Sequence, residues 1–132
     1  MAAKPKILLI DDDPDFIKAT RMVLESKPYR VLTARNGDEG LATARKEKPD
    51  LILLDIIMPT KDGFSTCAQL KKDDALADVP VLMLTSFAQR VGETSLAMRQ
   101  GLSLEADDYL EKPIAPAELL ARVEKHLGRG NK

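Results

Sequence analysis

The amino-acid sequence predicts an α/β fold, an open parallel sheet of five strands covered by helices on both faces. Short apolar segments of strand length alternate from end to end with segments of helical period, and no internal repeat, low-complexity stretch or long Gly/Ser linker interrupts them. The first strand segment is apolar at consecutive positions, not at alternate ones, as a parallel strand buried on both faces is. Each crossover must return to the same edge of the sheet, and right-handed packing then places helices on both sides.

The first strand is predicted over residues 7–10 and ends at Asp11-Asp12-Asp13-Pro14. Pro14 suits the first helical position, where its missing N–H would be unpaired anyway, so Asp13 is the natural N-cap of a helix through Phe16, Thr20, Val23 and Leu24. A second strand over residues 29–34 leads through Asn36-Gly37 to a helix carrying Leu41, Ala42 and Ala44, which ends near Lys46. The third strand, residues 51–54, runs into Asp55, a Lys61-Asp62-Gly63 turn and a helix through Phe64, Ala68 and Leu70 to about Lys72. Pro80 opens the fourth strand, residues 81–84, and a helix over residues 91–100 comes next. Gly101 and an acidic connection lead to a short fifth strand at Tyr109-Leu110. Lys112-Pro113 then introduces a last helix over residues 117–127, which Gly128 is placed to end.

The 132 residues suit one domain, read here as spanning 1–132 with its core at about 5–128. A 44% hydrophobic and 31% charged composition argues against disorder and against a membrane class. The formal net charge is -1 and no basic stripe occurs, which predicts no direct contact with nucleic acid. Cys67, the single cysteine, sits in a helical apolar pattern and is read as a buried structural thiol. The apolar run at the N-terminus is too short for a signal peptide or membrane span, so a cytoplasmic protein without membrane association is expected. Met1 and the short polar tail suggest a stand-alone protein. His126, the only histidine, is read as a solvated or capping residue near a helix C-terminus.

The chemistry is carried by the residues just beyond each strand: Asp11, Asp12 and Asp13 after the first, Asp55 after the third, Thr85 and Ser86 after the fourth, and Lys112 after the fifth. In a parallel sheet these ends share one edge, so carboxylates, a hydroxyl and an ammonium converge in one crevice. Any one of them alone would be a turn or cap residue. Crowded carboxylates raise one another's pKa, a cost that a hard divalent cation with oxygen ligands removes. Mg²⁺ fits this inventory, with Mn²⁺ able to substitute, because it needs only one or two carboxylates, several waters and a substrate phosphate. Lys112 supplies a compact positive charge and Thr85 a hydroxyl donor, and together with an attacking carboxylate these meet the electrostatic needs of phosphoryl transfer.

Four segments in order, Leu8-Leu9-Ile10-Asp11-Asp12, Leu53-Leu54-Asp55-Ile56-Ile57-Met58-Pro59, Leu84-Thr85-Ser86 and Tyr109-Leu110-Glu111-Lys112-Pro113, resemble the receiver domain of two-component response regulators, over nearly the whole chain. The resemblance implies a flavodoxin-like sheet of order 2-1-3-4-5. It implies Asp55 as phosphoacceptor, Asp11 and Asp12 as the acidic pair holding Mg²⁺ with Asp55 and the backbone carbonyl of Ile57, Lys112 and Thr85 as the phosphoryl-binding pair, and Thr85 with Tyr109 as the switch. It implies a sensor histidine kinase or phosphotransfer protein as donor. The reader would be an unidentified downstream protein on the face formed by the fourth helix, fifth strand and last helix. The protein itself would be a monomer or weak dimer, a switch and not an enzyme acting on other molecules.

Two departures stand out. The stretch between Thr85 and Lys112 is longer than the common receiver pattern, with Gly101-Leu102-Ser103-Leu104-Glu105 the expected addition and an altered output surface its expected consequence. Ile57 and Phe87 are apolar where a polar side chain could orient an attacking water, which predicts slow loss of the phosphoryl group. The competing readings are a metal-dependent phosphohydrolase, which would need a cap or extra loops to enclose a substrate, and a receiver-like interaction domain that is never phosphorylated.

Overall fold

The computed structural model describes residues 4–55, 63–85 and 106–130. The elements in chain order are β1 (Lys6–Ile10), α1 (Pro14–Glu25), β2 (Arg30–Ala34), α2 (Gly37–Glu47), β3 (Leu51–Asp55), α3 (Gly63–Lys72), β4 (Val81–Thr85), β5 (Asp108–Glu111) and α4 (Pro116–Gly130). The five strands form one parallel sheet in the order β2-β1-β3-β4-β5. Ile57, Ser86, Phe87, the helix predicted over residues 91–100 and the addition at 101–105 lie outside the described residues.

Side chains of successive strand residues point to opposite faces, and the apolar runs supply both. Leu8, Ile10, Ile52, Leu54, Val81 and Met83 pack on one face against Leu41 and Ala44 of α2 and Cys67 and Leu70 of α3. Ile7, Leu9, Leu51, Leu53, Leu82 and Leu84 pack on the other against Leu24 of α1 and Leu119, Val123 and Leu127 of α4. Cys67 is buried, as its apolar setting predicts. Truncating any one of the fully buried strand leucines to alanine costs about 3 kcal/mol in lost transfer energy and residual cavity.

The helix starts obey the capping logic of the sequence. The Asp13 carboxylate accepts the Asp15 N–H at 3.0 Å, with Pro14 at the first helical position. Asn36 accepts the Glu39 N–H at 2.8 Å, and Glu39 reaches back to the Arg35 N–H, so two otherwise unpaired donors are satisfied at the head of α2. Gly40 allows α2 to lie close on the sheet. A Cβ there would meet Ile10 Cγ1 at 2.9 Å, and Ile10 is fully buried and has no room to move.

Two expectations are corrected at the C-terminal helix. α4 continues through Gly128 to Gly130, because a glycine in a helix only weakens it, by about 1 kcal/mol, when nothing else opposes the turn. His126 is neither solvated nor a cap. It is 1% exposed, and its Nε2 lies 2.9 Å from Asp108 Oδ2. The last helix docks on the sheet with that face inward, so the ring is carried into the interface beside the start of β5.

Candidate functional site

Register brings the strand-end residues together. Ile10 pairs with Leu54 across β1 and β3, so the next residues, Asp11 and Asp55, stand side by side. Thr85 ends β4 opposite Glu111, and its carbonyl accepts the Lys112 N–H at 2.6 Å, which ties Lys112 to the same edge. Asp55 and Thr85 are the last residues of their strands, and both are buried. The Lys112–Pro113 peptide bond is cis.

Carboxylate oxygens of Asp11, Asp12 and Asp55 lie within 4.8 Å of one another. Asp11 and Asp55 are buried and Asp12 is exposed, so the cluster opens to solvent on one side. Asp13 stands apart as the helix cap, and its N–H donates to Asp11 Oδ1 at 2.9 Å, which helps hold that carboxylate in place. Lys112 Nζ donates to Asp11 Oδ2 at 2.8 Å and lies 3.4 Å from Asp55 Oδ1. Its ammonium also sits 4.2 Å from the centroid of the Phe16 ring, a contact that sequence reasoning did not foresee. The one available signal was position. Phe16 is in the first turn of α1, and helical side chains lean toward the N-terminus, here toward the Asp11-Asp12 loop.

Among the described residues one ammonium pairs with Asp11 and Asp55 while Asp12 stands beside them, and the electrostatics register the imbalance. Burial, with the charge of Asp11 beside it, pushes the Asp55 carboxyl up to about 6 despite the opposing pull of Lys112. Burial acts to lower the Lys112 pKa, but the hydrogen bond to Asp11 and the charges of Asp55 and Asp11 outweigh it and hold the ammonium above its ordinary value. A crowded, under-neutralised set of carboxylate oxygens is the donor chemistry that suits a hard divalent cation.

Thr85 and Tyr109 line one cavity of about 310 Å³ together with Leu110, Glu111, Glu118 and Arg122. Tyr109 is half-buried and packs against the core face that carries α2 and α3. Ile57, whose carbonyl the resemblance assigns to the cation, is outside the described residues.

The fold and this edge of the sheet define an α/β domain with an acidic, lysine-bearing crevice beyond its strand ends, and comparison with known proteins gives it a family. Residues 7–124 match the response regulator receiver domain, and the chain belongs to that family. It is 44% identical over 125 residues to the DNA-binding dual master transcriptional regulator RpaA of Synechocystis, covering 95% of this chain and 50% of that protein. It is 40% identical over 124 residues to the alkaline phosphatase synthesis transcriptional regulatory protein PhoP of Bacillus subtilis, covering 94% and 49%. Among solved structures it superimposes on the signal receiver domain of a signal transduction histidine kinase from Syntrophus aciditrophicus with a TM-score of 0.82 at 31% identity, covering 94% of this chain and 90% of that one. The chemotaxis response regulator CheY4 of Vibrio cholerae gives 0.81 at 28% identity, covering 93% and 98%.

The chain spans about half the length of the curated relatives it matches. Their names correct one expectation, a partner set without nucleic acid. RpaA is a DNA-binding transcriptional regulator, PhoP is a transcriptional regulatory protein, and ycf27 of Pyropia yezoensis is a probable transcriptional regulator. Near-neutral charge describes the matched half and carries no information about DNA contacts made elsewhere in such a protein. Among the described residues no helix is long and apolar enough to cross a membrane.

Proposed function

We propose that this receiver domain, read as one switch unit over about residues 5–128, accepts a phosphoryl group on Asp55 and changes conformation in response. The observation that carries the reading is a buried carboxylate, Asp55, within 4.8 Å of two other aspartates and 3.4 Å from the Lys112 ammonium. An Asp55 oxygen attacks the phosphorus in line, and the phosphorus–nitrogen bond of a phosphohistidine breaks. Its electron pair leaves with the imidazole, which takes up a proton. The donor we infer is a histidine kinase or phosphotransfer protein. Asp11, Asp12 and Asp55, with the carbonyl of Ile57, would hold Mg²⁺ or Mn²⁺. Such an ion supplies positive charge to the phosphoryl oxygens and relieves the repulsion among the acids.

Lys112 is the cation that exchanges partners. In the resting site it neutralises Asp11 and Asp55, and after transfer its ammonium pairs with a phosphoryl oxygen in place of the lost Asp55 charge. Thr85 donates its hydroxyl to the same group, and Tyr109, lining the same cavity, moves with it as the aromatic part of the switch. The names of the curated relatives support transcriptional control as the output.

The test is incubation with Mg²⁺ and acetyl phosphate, then intact mass. The wild type should gain one phosphoryl group and Asp55→Asn none. A wild type that gains no mass, or an Asp55→Asn variant that gains as much, would overturn the assignment.

A further inference from the structure

The Lys112 ammonium has three N–H donors. Among the described residues its partners are the carboxylates of Asp11 and Asp55 and, 4.2 Å from its centroid, the aromatic ring of Phe16. A lysine on a four-carbon stem is otherwise a mobile, strongly hydrated point charge, and this one stands directly after β5 with about a fifth of its side chain in water. Phe16 stands in the first turn of α1, on a helix anchored by the Asp13 cap and by Pro14. The ring is half-buried and packs against the core face that carries α1 and α4. The face of the ring therefore offers the ammonium a surface of negative electrostatic potential in addition to the two acids.

We infer that Phe16 is a positioning residue for phosphoryl capture. Its ring face holds the Lys112 ammonium over the site by a cation–π contact, so that the charge is already in place when an anionic phosphoryl group arrives. The inference rests on the phosphoacceptor reading above. Pre-placement matters because a charge that must first be recruited from water forfeits part of its attraction in reorganising. An aliphatic side chain of similar bulk would fill the same space without the quadrupole that attracts the ammonium.

The experiment varies the ring's electrostatics at constant shape. Phe16 is replaced, one protein at a time, by mono-, di- and trifluorinated phenylalanine, and by Tyr, Trp and Leu, and binding of fluoroberyllate, a phosphoryl mimic, is measured in Mg²⁺. Affinity should fall stepwise with fluorine count, reaching about a three- to tenfold loss in the trifluoro and Leu proteins, with Tyr and Trp close to wild type. Mg²⁺ affinity without the mimic should stay within about twofold, because an ordinary packing defect at the site would disturb both. In the metal-free protein, the Lys112 methylene protons should carry an upfield ring-current shift that Leu abolishes. A flat fluorine series in a protein that binds the mimic overturns the inference alone. A wild type that captures neither fluoroberyllate nor phosphoryl overturns the phosphoacceptor reading and the role of the ring with it.

Discussion

Among the described residues, the aspartates that meet cations beyond the C-terminal ends of the strands and those at the entrance to β5 behave in opposite ways. At the first, Lys112 is the one cation among the described residues paired with Asp11 and Asp55, Asp12 stands beside them, and burial beside a second acid pushes Asp55 up to about 6. At the second, Asp107 takes Lys71 at 2.8 Å and the Val81 N–H at 2.8 Å. Asp108 takes two bonds from Arg122 at 2.9 Å, one contact from His126 and its neighbour's N–H. Burial acts to raise the Asp108 pKa, but the hydrogen bonds from His126, the Tyr109 N–H and Arg122 outweigh it and hold the carboxyl below its ordinary value. The same residue type is structural where its charge is matched and chemically poised where it is not. Among the described residues, what separates the two clusters is the number of donors around the carboxylates.

Removing the single cation of the poised cluster should have the largest effect. Lys112→Met leaves the fully buried Asp11 unpaired and is expected to destabilise the metal-free protein by about 3 kcal/mol at neutral pH, read from urea unfolding. An unchanged midpoint would mean that the acids there protonate or hydrate freely.

Removing an acid from the same place should do the reverse. The folded-state pKa of Asp55 is raised from 3.8 to about 6, so its contribution to stability is fully present below about 3.8 and is lost as pH rises through about 6. Asp55→Asn is therefore expected to stabilise the metal-free protein above pH 6 by about 2 kcal/mol, and Mg²⁺ should erase most of that advantage. Thermal melts of both proteins from pH 4 to 8, with and without Mg²⁺, measure it. A variant less stable than wild type at pH 7.5 would show that the acids are not in net repulsion.

In the matched cluster, Lys71→Met should cost about 2 kcal/mol. Its ammonium also bonds the carbonyls of Ala77 and Val79, and so fastens the exit of α3 to the starts of β4 and β5. Hydrogen exchange at Val81 and Asp107 should quicken with it. The smallest effect is expected for Asp108→Asn, about 1 kcal/mol at pH 7. Because the Asp108 pKa is lowered, its stabilisation is present above the ordinary 3.8 and is lost as pH falls through its lower folded value. Both variants should therefore converge with wild type toward acid pH, Asp108→Asn from the less stable side and Asp55→Asn from the more stable, and an Asp108→Asn deficit that does not shrink as pH falls would contradict the reading.

The poised cluster was largely legible in the sequence because each member directly ends or succeeds a strand, and a parallel sheet obliges such positions to converge. Asp11, Asp55, Thr85 and Lys112 needed only the strand pattern to be brought to one edge. The matched cluster was not legible. Lys71 and Asp107, or Asp108 and His126, lie on or beside helices and strands whose relative docking no periodicity encodes. His126 was accordingly expected at the surface, and it lies in the core beside β5. Charge was misleading for a related reason, since an average over a receiver domain does not report contacts that the longer curated relatives make through their other half.

By itself the sequence determined the α/β class, the strands, the cap at Asp13, and the edge at which the acids gather, because these depend on short-range pattern and on a rule of topology. Only the tertiary structure decided which acids are under-neutralised, that His126 and Arg122 converge on Asp108, that Gly40 must admit Ile10, and that the Lys112 ammonium rests on the ring of Phe16. Those outcomes turn on distances of a few ångströms between elements far apart in the chain, and they are set by how α1, α2 and α4 pack on the sheet.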